Sequence, residues 1–228
     1  MQKLVGPCLY VCAIVLASCN SVSKHTRLAD LNGTVQSLGY DALALPSTAF
    51  GPGSLVTSIK GNGLNAPLKL TYLCRPDFTN TPPPIIDTAA STEVSGALKG
   101  SFQLDASALT QLGLGAHLDY IRSVTLKLSN VTVEQLAYDD LAVVRSGLGP
   151  KCREIVEEFS RRSLAYQTKQ AVRADVVYSF ELNKGASAQV KGLVAKTLTA
   201  AFGGSVEAGE GLTATGKGLF YGLILEKV

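Results

Sequence analysis

The strongest constraint on the fold of this chain is a stretch of alternating residues from Tyr166 to Leu182. From Val172 onward the even-numbered positions are apolar, and most odd-numbered positions between them carry polar or charged side chains. Successive side chains of a β-strand point to opposite faces of the sheet, so the pattern predicts a long strand with one packed face and one wet face. A sheet with one apolar face needs a layer packed against it, and the predicted helices supply that layer.

A second long strand is predicted from Tyr120 to Glu134. The parity of its apolar positions changes across Ser129 and Asn130, which indicates either a β-bulge or a break between two strands. Shorter strands are predicted over 55–59, 68–74 and 98–104, together with a hairpin over 205–227. Residues 75–92 contain Pro76 and Pro82–Pro84 and are expected to form a surface loop of polyproline character.

Apolar residues at helical spacing predict helices over 27–38, 136–146, 150–162 and the region between Asn183 and Gly203. Asp105 and Asn183 are the expected N-caps of the helices that follow them. In the helix over 150–162, the spacing places Cys152 on the apolar face. These elements predict an α+β fold with a mostly antiparallel sheet and helices on one face.

Two junctions in the sequence resemble each other. Ser101–Asp105 and Ser179–Asn183 share an apolar–polar pattern, and each ends a predicted strand, precedes a predicted helix and is followed by a long strand. This similarity suggests a duplicated strand–helix–strand unit. The alternative is that strand-to-helix junctions simply favour Asp or Asn as caps.

The chain opens with Lys3 and an apolar run from Leu4 to Leu16. The run is too short to span a bilayer as a helix, but it has the length of a signal-peptide core. Small residues follow it and precede a cysteine. This short motif closely resembles the lipobox of bacterial lipoproteins, and its four positions are Leu16, Ala17, Ser18 and Cys19. The alternative is a buried core helix with a chance cysteine, which Gly6 and Pro7 in the apolar run disfavour.

The lipobox resemblance implies a processing pathway and a place in the cell. Residues 1–18 would be removed as an export signal, and Cys19 would carry palmitate-type acyl chains, each buried methylene adding about 0.8 kcal/mol to anchoring. Residues 19–26 would form a polar tether before a single globular domain over 27–228. Asn20, in place of Asp, implies delivery to the outer membrane on its periplasmic side. Inner-membrane retention and surface exposure remain alternatives.

The signal assignment also explains the odd number of cysteines, which is five. Cys8 and Cys12 would leave with the signal, and Cys19 would be acylated. Cys74 and Cys152 would then remain in an oxidising compartment, which predicts a disulfide between them. Two separate buried thiols are the alternative.

Composition and motifs disfavour several classes of function. A net charge of +3 with 17% charged residues lacks the basic stripe of a nucleic-acid-binding protein. Residues 211–218 approach a P-loop, but Gly218 stands where a magnesium-binding Ser or Thr belongs, and no helix is predicted to follow. The neighbouring Asp139 and Asp140 diverge on a helix and are expected to stabilise its start. No catalytic residue, metal site or cofactor is predicted.

The expected function is therefore that of a non-enzymatic, lipid-anchored envelope protein. Its partners would be the membrane, through the anchor, and an envelope protein or component bound at a sheet edge or groove. One alternative is a membrane-active or pore-forming protein whose long strands rearrange in a bilayer. Another is an envelope hydrolase with an unrecognised site. His117 would be the histidine of such a site, because His25, the other histidine, lies in the tether.

Overall fold

The structure is a computed structural model of the 228-residue chain. It describes residues 30–60, 66–104, 109–110, 114–183, 185, 187–202, 206–208 and 212–228. Within these ranges the fold is α+β with a mostly antiparallel sheet, which confirms the class predicted from the sequence.

The described residues form nine β-strands and several helices. The strands are β1 (Asp41–Ser47), β2 (Leu55–Lys60), β3 (Leu68–Cys74), β4 (Ile85–Ile86), β5 (Ser101–Gln103), β6 (Ile121–Gln135), β7 (Tyr166–Leu182), β8 (Val206–Ala208) and β9 (Leu212–Lys227). The helices are α1 (Leu31–Ser37), α2 (Thr88–Ala97), a 3₁₀ helix (Gly115–Tyr120), α3 (Tyr138–Ser146), α4 (Pro150–Arg161) and α5 (Ala188–Phe202). No helix among the described residues is both long enough and apolar enough to cross a bilayer.

Three long antiparallel strands, β6, β7 and β9, form the centre of the sheet, with β7 between the other two. The strand order is β4-β6-β7-β2-β3-β1-β9-β8, and β5 also pairs with β6. Because β7 pairs with both β2 and β9, the strands β7, β2, β3, β1 and β9 close into a ring. The pairing of β1 with β3 is parallel.

The main hydrophobic core covers one face of the three long strands. Tyr178 and Phe180 of β7 are 1% exposed there, and α1, α2 and α5 pack over this face through Val35, Val94 and Val194. The predicted apolar parity of β7 therefore faces the core. The opposite parity is partly or largely exposed from Arg173 to Glu181. Nearer the start of β7, Ala171 of that parity is buried in a second cluster with Leu43, Leu68, Phe220 and Leu223.

Helices α3 and α4 pack apart from this core, in two smaller clusters. Leu141 and Val144 of α3 pack with Leu136. Val156 of α4 packs with Leu55, Leu148 and Ala165. Asp139 and Asp140 lie in the first turn of α3, where their negative charge favours the helix start as predicted.

The predicted irregularity in β6 is a β-bulge within one continuous strand. The pairing of β6 with β7 shifts register between Ser129 and Thr132, and Asn130 adopts a left-handed conformation with φ of 51°. Asparagine tolerates this conformation better than most residues do. The alternative of two separate strands is wrong.

The loop predicted over 75–92 ends earlier than expected, because Ile85 and Ile86 form β4, which pairs with β6, and α2 begins at Thr88. The helix is rich in small and polar residues and buries only Val94, so it offers little apolar periodicity. Its start is nevertheless well capped, since an Asp87 carboxylate oxygen accepts a hydrogen bond from the Ala90 N–H at 2.9 Å. The strand predicted over 98–104 is shorter than expected, because Leu98 belongs to the end of α2.

Asn183 does not cap the helix that follows it. Its side-chain amide donates to the carbonyl of Asp119 at 2.7 Å, and α5 begins at Ala188 with the Ser187 hydroxyl accepting from the Val190 N–H at 3.3 Å. The segment predicted as a helix from Asp105 lies mostly outside the described residues. The duplication stays a prediction. The strands that contain the two similar junctions, β5 and β7, pair with opposite edges of β6, and both have Thr125 of β6 as a partner.

Candidate functional site

The residues assigned to the lipobox, Leu16, Ala17, Ser18 and Cys19, lie outside the described residues. The other two predicted site residues are described and lie together. Cys74 ends β3, Cys152 lies in the first turn of α4, and a disulfide joins them with their Cα atoms 5.6 Å apart. This is the pairing that the sequence predicts.

The disulfide lies beside one of the small hydrophobic clusters. It borders the cluster formed by Leu55, Leu148, Val156 and Ala165, against which both cysteines pack. The bond therefore fastens α4 to β3 at the edge of this small core. A cross-link between elements 78 positions apart in the chain restricts the unfolded state strongly.

A cleft of about 420 Å³ lies on another part of the surface, between the loop over 48–54 and the segment over 78–86. We call the latter the proline segment because Pro82–Pro84 occupy its centre. Leu136 and Phe220 also line the cleft. Its volume falls in the range of about 300–1,000 Å³ that is typical of small-molecule sites.

Aromatic rings held against glycines shape this cleft. Gly51 lies so close to the ring of Phe220 that a Cβ there would stand 2.8 Å from a ring carbon. A Cβ on Gly53 would meet the ring of Phe78 at 2.7 Å, and Gly53 also has a φ of +88°. Glycine is therefore required at both positions for the backbone to approach the rings.

Hydrogen bonds fix the loop over 48–54. The Gly53 N–H donates to the Thr168 carbonyl at 2.7 Å. The carbonyl of Ala49 accepts hydrogen bonds from the hydroxyls of Ser54 and Tyr72. This wall of the cleft is thus tied to β3 and β7, so its shape does not depend on a bound ligand.

The carboxylate of Glu134 is the charged group that lines the cleft. An Arg173 guanidinium nitrogen lies 2.8 Å from it, and the Glu134 side chain is only 13% exposed. This pairing satisfies the charge within the protein. Because its lining is mainly apolar and also includes Thr48, Ser54 and Thr81, the cleft is suited to binding an apolar or amphipathic group.

The proline segment also presents an exposed apolar surface outside the cleft. Ile85 and Ile86 are 54% and 57% exposed, and Phe78 is 42% exposed. No charged residue occurs between Asp77 and Asp87. The hydroxyl of Thr79 and its backbone N–H both bind the Asp77 carboxylate, which lowers the pKa of that group and fixes the start of the segment.

No protein-family model and no characterised protein matches the sequence. Among solved structures, a bacterial gasdermin from Bradyrhizobium tropiciagri is similar with a TM-score of 0.39 and 15% identity, over 86% of this chain and 84% of that chain. The gasdermin A3 membrane pore is similar with a TM-score of 0.33 and 12% identity, over 86% of this chain and 88% of that chain. Both scores are too low to establish a shared fold or function.

Besides the cleft and the proline segment, the surface includes the face of the long strands that lies opposite the main core. On β7 it presents Arg173, Asp175, Val177, Ser179 and Glu181, all partly or largely exposed. The positions paired with them on β6 and β9 are mainly Ser and Thr. Over Arg173–Glu181 and the positions paired with them, three adjacent strands thus combine one apolar, helix-covered face with one hydroxyl-rich face in contact with water.

Sequence reasoning missed the cleft because its walls come from distant segments. The turn residues Gly51–Gly53 and the three prolines are the local signals for the two walls. Residues 212–218 of the P-loop-like stretch lie in β9, where a Cβ on Gly216 would stand 2.7 Å from Leu219. These residues therefore belong to a strand, as the predicted hairpin over 205–227 requires, and the crowding explains the glycine at position 216. His117 lies in the 3₁₀ helix, and His25 is outside the described residues.

Proposed function

We propose that this chain is a lipid-anchored cell-envelope protein that acts by binding an envelope component at the cleft and the proline segment. The observation that carries the proposal is the association of a preformed cleft with an uncharged, exposed apolar segment. Monomeric soluble proteins seldom expose contiguous apolar surface without a function for it. Here the exposed surface continues into a cleft whose single carboxylate is already paired.

The anchoring part of the proposal rests on the sequence from Leu16 to Cys19. Acylation of Cys19 after removal of residues 1–18 would place the domain at a membrane, and Asn20 favours the periplasmic side of the outer membrane. The Cys74–Cys152 disulfide is consistent with an oxidising compartment such as the periplasm.

Mass spectrometry of the chain purified from membranes tests the anchor. We expect a product that begins at Cys19 and carries acyl chains, and we expect Cys19→Ala to abolish both the acylation and the membrane association. An intact Met1 on a membrane-bound product, or an unmodified Cys19, would contradict the proposed anchoring.

In-cell photo-crosslinking tests the binding part. A photoreactive residue is placed at Thr81, which lines the cleft, and a matched one at Glu154, which is exposed on α4. We expect the Thr81 probe to give one reproducible product with an envelope lipid or protein that the Glu154 probe does not give. Equal labelling from the two positions would refute binding at the cleft.

A second candidate function, membrane insertion, is favoured by the length and two-faced character of the central strands. β6, β7 and β9 contain 15, 17 and 16 residues, whereas a tilted strand crosses a bilayer with about 9–11 residues. Their apolar face could contact lipid once the helices moved away, and their hydroxyl-rich face could remain in water.

Dye leakage from liposomes tests this second candidate. Vesicles of phosphatidylethanolamine and phosphatidylglycerol that contain a self-quenched dye are exposed to the acylated chain. Release of the dye that rises with protein concentration would support insertion. A signal equal to that of vesicles without protein, although the protein floats with them, would remove this candidate and leave the binding proposal intact.

A further inference from the structure

We infer that the proline segment (residues 78–86) contacts the lipid bilayer directly, as a second point of attachment beside the acyl anchor. The inference rests on the proposed function, because it takes the lipidated chain to be at a membrane. It adds the partner of this surface, which is the interfacial region of the bilayer.

The side chains of the segment suit the bilayer interface. Phe78, Ile85 and Ile86 expose 42%, 54% and 57% of their surface, and Pro82–Pro84 are exposed between them. Moving such apolar surface out of water is favourable by about 25 cal/mol per Å². No charged side chain occurs within the segment to oppose that transfer.

Most positions of the segment also have no backbone N–H group that must be hydrogen-bonded by water. A backbone N–H that enters lipid without a partner costs several kcal/mol, and the three prolines have no N–H at all. The Thr79 N–H donates to the Asp77 carboxylate at 2.9 Å, and the Thr81 N–H donates to the Phe78 carbonyl at 3.0 Å. Ile85 and Ile86 pair with β6.

The tether is long enough to allow this contact. Helix α1 precedes β1, and the loop that forms one wall of the cleft follows β1, whose seven residues span about 23 Å at 3.3 Å per residue. The eleven steps from Cys19 to Asp30 reach at most about 40 Å when extended. An anchor at Cys19 therefore holds the segment within reach of the bilayer at a high effective concentration.

A proline-binding protein is the rival occupant, because polyproline segments dock in aromatic grooves. In this chain, however, the prolines already line the protein's own cleft. The two isoleucines do not line the cleft and are more than half exposed, and such side chains suit lipid better than a proline-selective groove. We therefore assign the surface to lipid.

Site-specific quenching in the full, acylated chain tests this inference. An environment-sensitive fluorophore is attached at Ile86→Cys or, as the control, at Val143→Cys on α3, where the valine is 44% exposed. The proteins are reconstituted in vesicles of phosphatidylethanolamine and phosphatidylglycerol. We expect nitroxide-bearing lipids to quench the label at position 86, aqueous iodide to quench the label at position 143, and neither quencher to act strongly on the other label.

The remaining outcomes decide between the explanations. Iodide access at position 86 equal to that at position 143 would overturn the inference. Protection that appears only when envelope extract is added, without quenching by nitroxide lipids, would assign the surface to a protein partner and would also overturn it. Failure of the anchor is detected separately, by the mass of the Cys19 residue in the same samples.

A second variant measures how much the contact contributes. Ile85→Ser with Ile86→Ser should raise the rate at which the acylated chain transfers between vesicles by about tenfold, since partial burial of two isoleucines is worth on the order of one decade in affinity. The matched control, Val143→Ser with Ile155→Ser, removes two other exposed apolar residues and should leave the rate unchanged. Equal rates for both variants would contradict the inference.

Discussion

At the residue scale, Asp175 joins the three long strands where all of them are irregular. Its carboxylate accepts hydrogen bonds from the Gly218 N–H at 2.7 Å and from the Asn130 side-chain amide at 2.8 Å. The β6 bulge, a register shift in the β7–β9 pairing and the left-handed Gly218 meet at this carboxylate. The hydrogen bonds from Asn130 and Gly218 lower its pKa.

We expect Asp175→Ala to lower the free energy of unfolding by about 1 kcal/mol at neutral pH, the usual net value of such hydrogen bonds. Because the carboxylate has a lower pKa in the folded chain, its contribution is present above the unfolded pKa of about 3.9 and is lost as pH falls through the folded pKa. Urea unfolding of parent and variant at neutral and strongly acidic pH measures the difference.

The difference between parent and variant should shrink towards the acidic end. Asp119→Asn, at an exposed aspartate of the 3₁₀ helix, serves as the control. A gap between parent and Asp175→Ala that stays constant over the whole acid range would mean that the carboxylate charge is not responsible.

The sequence predicts one part of this arrangement. The change in the parity of apolar positions at Ser129 and Asn130 indicates the bulge, because this parity can be followed residue by residue along a single strand. The partners of the bulge could not be read, since Asp175 lies 45 positions from Asn130 and 43 from Gly218. Which distant residue meets a bulge depends on strand order and register.

At the element scale, α4 depends on the disulfide for its attachment to β3. We expect Cys74→Ala with Cys152→Ala to lower the free energy of unfolding by about 4 kcal/mol, because closing a loop of 78 positions removes that much chain entropy from the unfolded state. Denaturant unfolding of the parent and the double variant measures the loss.

Thiol alkylation with and without prior reduction is the companion measurement. The parent should be labelled at positions 74 and 152 only after reduction, and the acylated Cys19 should not react in either state. Labelling of both positions in the unreduced native chain would show that the bond is absent.

The elements that the sequence predicts best are those whose pattern of apolar and polar residues extends over many positions. β7 has the predicted bounds of Tyr166 and Leu182, because apolar residues alternate along it from Val172 to Leu182. α2 was missed because it buries one residue, Val94, on the main core. Asp87 was the local signal for its start, and the nearby prolines obscured it.

At the scale of the whole molecule, the candidate site exists only after the chain is assembled. Its lining comes from the loop over 48–54 and the proline segment, together with Glu134, Leu136 and Phe220. Each local signal could be read from the sequence. Their proximity could not, since it requires β7 to pair with β2, β6 and β9.

The same topology makes β7 the centre of stability. It has a partner along both edges, with β9 on one side and β6 followed by β2 on the other, and its core-facing side chains are almost fully buried. We expect its amides to exchange with deuterium most slowly in the chain, because they open only with the whole sheet. The amides of α4, which packs on a small separate cluster, should exchange much faster.

Reduction of the disulfide separates global from local opening in this experiment. It should speed exchange in α4 and at the end of β3, which the Cys74–Cys152 bond joins, and leave the rates across β6, β7 and β9 close to those of the oxidised chain. Equal acceleration throughout the sheet would show that the long strands open together with α4. In that case the three strands would not form an independently stable unit, and the insertion candidate would lose its structural basis, since it needs a sheet that survives the release of its surroundings.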